Sequence, residues 1–233
     1  MDGRWAFRPA GRAIVITVLG IVLVAAGLAG PAEAGRYRAA RPDIDVVLEG
    51  GVSQPHGELG ETYAEYLDER GLGAEMGYGV GARLRAHWPS GWTISPSFRF
   101  EDFGDFAGLR DDDPVTVKTS ILRYGVDAQY FLPVREGSLQ PFFSGGVALF
   151  HNRYRDEIDT VSDPSFYEAS VNALGFGVGG GVCFQGLEVS ATYNFNRFET
   201  TRLPFDFGVR SDYNWDYLSV SFGFALPLDP PRR

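Results

Sequence analysis

Few groups in this sequence could act as nucleophiles, bases or metal ligands. The chain contains three histidines, His56, His87 and His151, and one cysteine, Cys183. A catalytic thiol needs a base beside it, and the residues flanking the cysteine provide none. No His-x-x-x-His or Cys-x-x-Cys spacing indicates a metal site. We therefore expect solvated or interfacial histidines and a cysteine packed inside a sheet.

Two acidic runs offer oxygen ligands of the kind that calcium prefers. They are Asp111–Asp113 and the set Asp156, Glu157 and Asp159. Both lack the glycine and the spacing of a defined calcium loop. The alternating glycines from Gly175 to Gly181 are not followed by the Lys-Ser/Thr of a phosphate loop. The sequence therefore predicts no catalytic residue, no cofactor and no metal.

Charged side chains recur at alternate positions of several segments, and this pattern is more informative. Side chains alternate between the two faces of a strand, so these charges share one face. That face also carries glycine and serine, whereas the opposite face has essentially no charge. Inside a narrow barrel, opposed arginines and carboxylates would pair with one another, and small residues would make room for them. We predict a luminal polar network of Glu49, Glu75, Arg83, Arg85, Arg99, Glu101, Arg123, Asp127 and Glu188.

Eight long segments alternate in this way and are predicted to be strands. The last is the most regular, with Leu218, Val220 and Phe222 opposite Ser219 and Ser221. Long connections are predicted at 54–73, 103–118, 153–169 and 200–214, with short turns between them. The predicted strands cover residues 42–53, 74–88, 92–102, 119–132, 139–152, 170–184, 187–199 and 217–228.

This layout predicts an all-β fold, an eight-stranded antiparallel up-and-down transmembrane β-barrel. Bacterial outer-membrane barrels have an even number of strands of about ten residues, short periplasmic turns and longer external loops. In a membrane the charged face must point inward. Pro96 is predicted to mark a β-bulge, because proline has no backbone N–H to donate to the strand ladder. Aromatic residues near the strand ends predict two interface girdles, composed of Trp88, Trp92, Tyr130, Phe184, Phe195, Trp215 and Tyr217.

The N-terminal region, residues 1–34, is predicted to be a cleaved signal peptide. A positively charged start is followed by the apolar run Ala13–Ala29 and by Pro31-Ala-Glu-Ala34, a small-x-small cleavage site. An uncleaved anchor is the alternative, since the run could nearly span a bilayer. The expected organisation continues with a short segment at 35–41, the barrel at 42–228 and a tail at 229–233. The net charge of -9 argues against binding of nucleic acid.

Over residues 42–228 the chain resembles the small eight-stranded outer-membrane barrels of the OmpA, OmpX and opacity-protein type. The resemblance rests on strand pattern and hairpin layout and on no signature motif. It implies that the partners are outer-membrane lipid, lipopolysaccharide and the outer-membrane assembly machinery, and that the protein is a monomer. One departure is the end of the last strand at Leu228, because such proteins usually end on an aromatic residue. The His-x-Ser pattern of barrel lipid A deacylases is also missing, so no enzyme is expected.

Three functional hypotheses follow from the sequence. The first is an outer-membrane barrel with a structural or surface-interaction role, in which four long external loops carry recognition. The second is a small porin-like channel through the same barrel. The third is a soluble, lipocalin-like barrel that binds an apolar ligand, which would require the apolar face to point inward.

Overall fold

The chain forms a curved antiparallel sheet in the computed structural model, which describes residues 42–61, 72–110, 113–133, 139–158, 165–201 and 211–228. A single-turn 3-10 helix occupies Gly57–Leu59. The strands, in chain order, are β1 Asp43–Pro55, β2 Glu75–His87, β3 Trp92–Gly104, β4 Phe106–Arg110, β5 Asp113–Phe131, β6 Gln140–Ile158, β7 Ser165–Phe184, β8 Leu187–Phe195, β9 Arg197–Thr200, β10 Ser211–Asn214 and β11 Tyr217–Pro227.

Eight of these strands close into a barrel. The neighbour order is β3-β2-β1-β11-β8-β7-β6-β5, and β3 also pairs with β5, so no edge of this ring is left open. The first and last barrel strands meet directly, because Val52 of β1 pairs with Val220 of β11 and with Tyr78 of β2. The predicted eight-stranded antiparallel up-and-down barrel is confirmed.

The two ends of the barrel differ. The short β2–β3, β5–β6 and β7–β8 connections lie at one end, here called the turn end, and the longer ones lie at the loop end. Both ends of the described barrel lie at the turn end, since Asp45 pairs with Arg85 near the end of β2 and with Pro227 at the end of β11. This is the arrangement that an even number of strands requires.

The predicted connections 103–118 and 153–169 were wrong, because both regions are mostly strand. The β6–β7 ladder runs on to the pair Ile158–Ser165, and β4 pairs with the start of β5. Ladder hydrogen bonds do not depend on an apolar face. Here the strand alternation continues with polar side chains, since Arg153 and Arg155 are exposed while Tyr154 between them is buried. The predicted strands therefore ended too early, because alternation with an apolar face stops before the ladder does.

Pro96 does not mark a bulge. It pairs with Val126 in a continuous β3–β5 register. The register shift in the neighbouring β2–β3 ladder lies instead between Glu75 and Tyr78, at the loop end. The missing N–H of proline therefore predicted the β-bulge in the wrong part of the sheet.

The tight β7–β8 turn provides a test of the hairpin geometry. Gln185 and Gly186 have φ of 50° and 85°, as a type I′ turn requires. Because the left-handed region costs a residue with a Cβ about 1–2 kcal/mol, Gln185→Gly should raise the free energy of unfolding by about 1 kcal/mol. Gly186→Ala should lower it by a similar amount. Urea titrations of the folded barrel measure both, and changes of the opposite sign would contradict this turn type.

Several sequence predictions lie outside the described residues. They are the signal peptide at 1–34, the segment at 35–41, the tail at 229–233 and the acidic residues Asp111, Asp112 and Asp159. In the part of the chain that the structure describes, no helix is long and apolar enough to cross a membrane.

Candidate functional site

The turn-end half of the lumen contains a chain of ion pairs. Arg83 contacts Glu49 (Nε–Oε2 3.0 Å) and Glu188 (Nη2–Oε1 2.7 Å). Arg85 contacts the other oxygen of Glu188 at 3.1 Å and Asp45 at 2.8 Å. Glu188 is buried and bridges two arginines, so both of its oxygens are occupied.

The network continues towards the middle of the barrel through Arg99. This side chain contacts Glu49 at 3.2 Å and also pairs with Glu101. The carboxylate of Glu101 is fully buried and accepts hydrogen bonds from Ser53 (2.8 Å) and Ser219 (3.2 Å). Such added hydrogen bonds are what a buried ion pair needs to offset desolvation.

A separate pair lies on β5. Arg123 donates to Asp127 (Nη2–Oδ1 2.5 Å) and to Ser97 (3.1 Å). Each of the four luminal arginines thus has at least one carboxylate partner. Because breaking such pairs leaves an uncompensated buried charge, the geometry favours a fixed plug.

Eight of the nine residues predicted for the luminal network lie in these contacts, and Glu75 does not. Glu75 is exposed and begins β2 at the loop end, next to the ladder irregularity. Asp45 was missed, although it shares the inward face with Glu49.

The opposite wall of the lumen is built from small residues. Ser190 and Ser221 lie 2.9 Å apart through their hydroxyls. Between this wall and the arginines is a cavity of about 50 Å³, also lined by Gly145, Gly177 and Thr192. A water needs roughly 10–15 Å³ of such space, so the cavity has room for a few waters and is much too small for an open pore.

An apolar cluster fills the loop-end half of the lumen, and the sequence did not predict it. Phe103 and Phe150 make edge-to-face contacts with Tyr217, with ring centroids 5.6 and 6.4 Å apart. This loop-end cluster blocks the lumen above the ion pairs. It consists of Leu59, Leu72, Ala74, Phe103, Val115, Val117, Ile121, Ala148, Phe150, Tyr154, Ala169, Ala173, Tyr213, Trp215 and Tyr217.

Polar contacts hold the loop-end segments onto the barrel. The side-chain amides of Asn152 and Asn196 exchange two hydrogen bonds, of 2.6 and 3.1 Å. Asp216 accepts from the backbone of Asn196 at 2.9 Å, and Glu58 accepts from the backbone of Asn214 at 2.8 Å. The loop end therefore has its own packed and hydrogen-bonded core.

The outside of the barrel is apolar over nine to eleven residues of each strand. This outer band has no charged side chain, and its members include Phe222 (65% exposed), Leu174 (77% exposed) and Val147 (62% exposed). The lipocalin-like hypothesis requires these apolar side chains to point inward, whereas they point outward. The outer band is formed by the outward residues of segments 44–52, 76–86, 92–100, 122–132, 141–149, 174–184, 187–195 and 218–228.

Of the aromatic residues predicted for the girdles, two occupy a different place. Trp215 and Tyr217 are buried in the loop-end cluster, because Tyr217 begins β11 on its inward face. Trp92 and Tyr130 are cross-strand neighbours near the turn end, with ring centroids 5.0 Å apart. The exposed Phe184 is also at the turn end, Trp88 lies in the β2–β3 turn, and Phe195 stacks on Phe176 at 4.4 Å.

The histidines lie apart from one another. His87 bonds the Thr93 hydroxyl at 2.7 Å, and His151 bonds the Asn172 side chain at 2.8 Å. His56 bonds the backbone oxygen of Gln54 at 3.1 Å. Within the described residues, no group of three or more His, Cys, Asp or Glu side chains could hold a metal ion.

Comparisons with known proteins find structural likenesses at low sequence identity. No family model and no curated protein sequence matches the chain. Neisserial surface protein A is 13% identical, with a TM-score of 0.49, over 79% of this chain and 97% of that one. Ail of Yersinia pestis, solved with the heparin analogue sucrose octasulfate, is 11% identical, with a TM-score of 0.48, over 80% and 99%. The N-terminal barrel of Pseudomonas aeruginosa OprF is 11% identical, with a TM-score of 0.39, over 78% and 97%.

These likenesses are too distant to add an argument about function, and the strand pairing of the chain itself establishes the architecture. β1 pairs with β11 and β3 with β5, so the ring has no free edge. Along the outer band, the charged side chains face the lumen and the apolar side chains face outward. The chain is thus a closed eight-stranded antiparallel β-barrel with a charged lumen and an apolar outer band.

Proposed function

We propose that the protein is an integral outer-membrane barrel with a structural or surface-interaction role. The observation that carries this proposal is the outer band. Exposed apolar area of this extent marks an interaction surface, and a closed barrel satisfies its backbone groups within lipid. Buried ion pairs inside and uncharged apolar side chains outside suit a bilayer.

The orientation and partners follow from the same proposal. The turn end faces the periplasm, in keeping with export through a cleaved signal at residues 1–34, and the loop end faces outward. The partners are outer-membrane lipid, lipopolysaccharide and the outer-membrane assembly machinery, and the barrel is a monomer. Recognition of other molecules falls to the loop end, where packed segments on a rigid scaffold can carry binding.

The lumen is not expected to conduct. The ion pairs leave a cavity of about 50 Å³, and the loop-end cluster seals the lumen above them. Purified protein in a planar bilayer should give no conductance steps, because an ion would have to displace buried, paired charges and a packed apolar layer. Stepwise conductance from the folded protein would support the channel hypothesis instead.

The proposed role is non-enzymatic. The rings of His56, His87 and His151 contact Gln54, Thr93 and Asn172, and the luminal carboxylates are engaged by arginines. A nucleophile with a positioned base does not occur among these groups. The proposal therefore assigns no catalytic residue to the barrel.

Cell fractionation with heat-modifiable gel mobility tests the proposed function. The protein expressed with its N-terminal region in a Gram-negative host should co-fractionate with outer membranes. Unheated samples should migrate differently from boiled ones, because a folded barrel resists detergent until it is heated. Recovery of the folded protein in aqueous buffer without detergent would contradict the proposal.

A further inference from the structure

The ladder that joins β2 to β3, here called the β2–β3 seam, has a gap. Two pairs are missing from it, although the register is the same on both sides of the gap. The missing pairs are Leu84–Pro96 and Arg85–Ser95, and the flanking pairs are Arg83–Ser97 and Ala86–Ile94. Over the residues that the structure describes, the other ladders of the ring run without a gap. The gap is therefore a local property of this seam.

The cause of the gap is the missing N–H of Pro96. Two residues of a hydrogen-bonded antiparallel pair normally exchange two N–H···O bonds. Pro96 can accept a hydrogen bond from Leu84 but cannot donate one to it, so the Leu84 carbonyl oxygen loses its ladder donor. On the other side of β3, Pro96 pairs with Val126 in an unbroken ladder. The side of Pro96 that lacks the N–H therefore faces β2.

The gap lies inside the outer band, where backbone polar groups are costly to leave unpaired. Pro96 is in the middle of the outer-band segment 92–100, and lipid offers no hydrogen bonds to a carbonyl oxygen. On the luminal side, the hydroxyl of Ser95 is fully buried and has no hydrogen-bond partner among the described residues. At this height the seam therefore has less hydrogen bonding both in its ladder and on its luminal face.

Side-chain hydrogen bonds join β2 to β3 on both sides of the gap. Towards the loop end, the Tyr78 hydroxyl donates to Asp102 at 3.1 Å. At the turn end, the His87 ring bonds the Thr93 hydroxyl at 2.7 Å. These two contacts, here called the seam clamps, limit how far a separation of the two strands can spread along the wall.

We propose that the barrel wall opens locally at the β2–β3 seam, around Leu84 and Pro96, and that the seam clamps confine this opening. Parts of a protein that hold fewer interactions open at a lower free energy than the intact core. A missing ladder bond lowers the cost of separating two strands, whereas the continuous ladders elsewhere keep theirs. The inference goes beyond the proposed function, because it rests on strand pairing and holds whichever molecules the barrel meets.

Hydrogen exchange of backbone amides, measured by NMR on the folded protein in detergent micelles, tests the opening. Successive N–H groups of a strand point to opposite neighbouring strands, so the Leu84 amide bonds β3 and the amides of Arg83 and Arg85 bond β1. After correction for intrinsic rates, the Leu84 amide should exchange about tenfold faster than these two, because its side of the strand has lost a hydrogen bond. The two neighbours lie at the same depth in the wall and are therefore an internal control.

Pro96→Val restores the missing N–H and keeps an outward apolar side chain. It should slow exchange of the Leu84 amide about tenfold, because the ladder bond can then form. Ile94→Val is the matched control, since it shortens another outward side chain of β3 without adding a donor, and it should leave the Leu84 rate unchanged. Equal wild-type rates at Leu84 and its two neighbours would overturn the opening, and so would an unchanged Leu84 rate in folded Pro96→Val.

The seam clamps have a test of their own. Tyr78→Phe removes the hydroxyl that donates to Asp102, and it should speed exchange of the Ala82 amide, which also bonds β3, about threefold. Tyr124→Phe is its control, because Tyr124 contacts Phe98 through its ring and the ring is kept. An unchanged Ala82 rate in Tyr78→Phe would overturn the clamp. If Pro96→Val does not fold, the wild-type comparison and the Ala82 rate still decide between a confined opening and an intact wall.

Discussion

Phe222→Arg should prevent assembly of the barrel into membranes. Phe222 lies in the middle of β11, is 65% exposed, and has Gly50 and Val189 as cross-strand partners. An arginine there would point into lipid with no acceptor near it. Arginine on the lipid face of a barrel costs about 2–4 kcal/mol at the bilayer midplane, a large part of the 5–15 kcal/mol that typically stabilises a fold. Heat-modifiable mobility after refolding into vesicles measures the loss.

Two control variants distinguish the effect of a charge on the lipid-facing side of β11 from general damage to this strand. Phe222→Leu keeps an apolar side chain on the outside and should assemble normally. Ser221→Thr changes the adjacent, inward residue and should also assemble, because the hydroxyl that contacts Ser190 is kept and the luminal cavity can take the methyl group. Equal defects in Phe222→Arg and Ser221→Thr would contradict the assigned facing.

Removing one partner of the Arg123–Asp127 pair should destabilise the folded barrel by about 3–5 kcal/mol. Asp127→Leu leaves the Arg123 guanidinium in the lumen with Ser97 as its remaining hydrogen-bond partner, and Arg123→Met leaves a carboxylate. The free energy of unfolding in urea, measured in detergent or lipid, gives each cost. The pair is well suited to this test because it is separate from the Arg83–Glu188 chain.

The double variant Arg123→Met/Asp127→Leu completes the thermodynamic cycle. Replacing both charges with apolar side chains of similar size removes the uncompensated charge, so the double variant should be more stable than either single variant. Additive losses would show that the two residues do not interact. In that event the luminal charges would be better described as independent, water-exposed groups.

The barrel was predictable because membrane strands impose a strict alternation on the sequence. From Leu218 to Leu228 each second residue is apolar and faces outward in the structure. The luminal ion pairs were predictable for the same reason, since Glu49, Arg83 and Glu188 fall on the charged face and a narrow barrel brings that face together.

The loop end was not predictable from this pattern. Above the outer band, both faces of β6 carry polar residues, so Arg153 and Arg155 suggested a loop although the ladder continues to Ile158. The loop-end cluster joins residues that are far apart in the chain, such as Leu59, Phe103 and Trp215. Their meeting depends on how the connections fold over the barrel mouth, which alternation within one strand does not encode.

Spin labels placed one at a time at positions 218 to 225 test the central claim most directly. In a Cys183→Ser background, each labelled variant is reconstituted in lipid, and label accessibility to oxygen and to a water-soluble nickel complex is measured. Labels at Leu218, Val220, Phe222 and Phe224 should be accessible to oxygen and protected from nickel, whereas labels at Ser219, Ser221 and Gly223 should be less accessible to oxygen. Absence of this two-residue period, or accessibility to nickel at the even positions, would contradict a barrel whose apolar face meets the membrane.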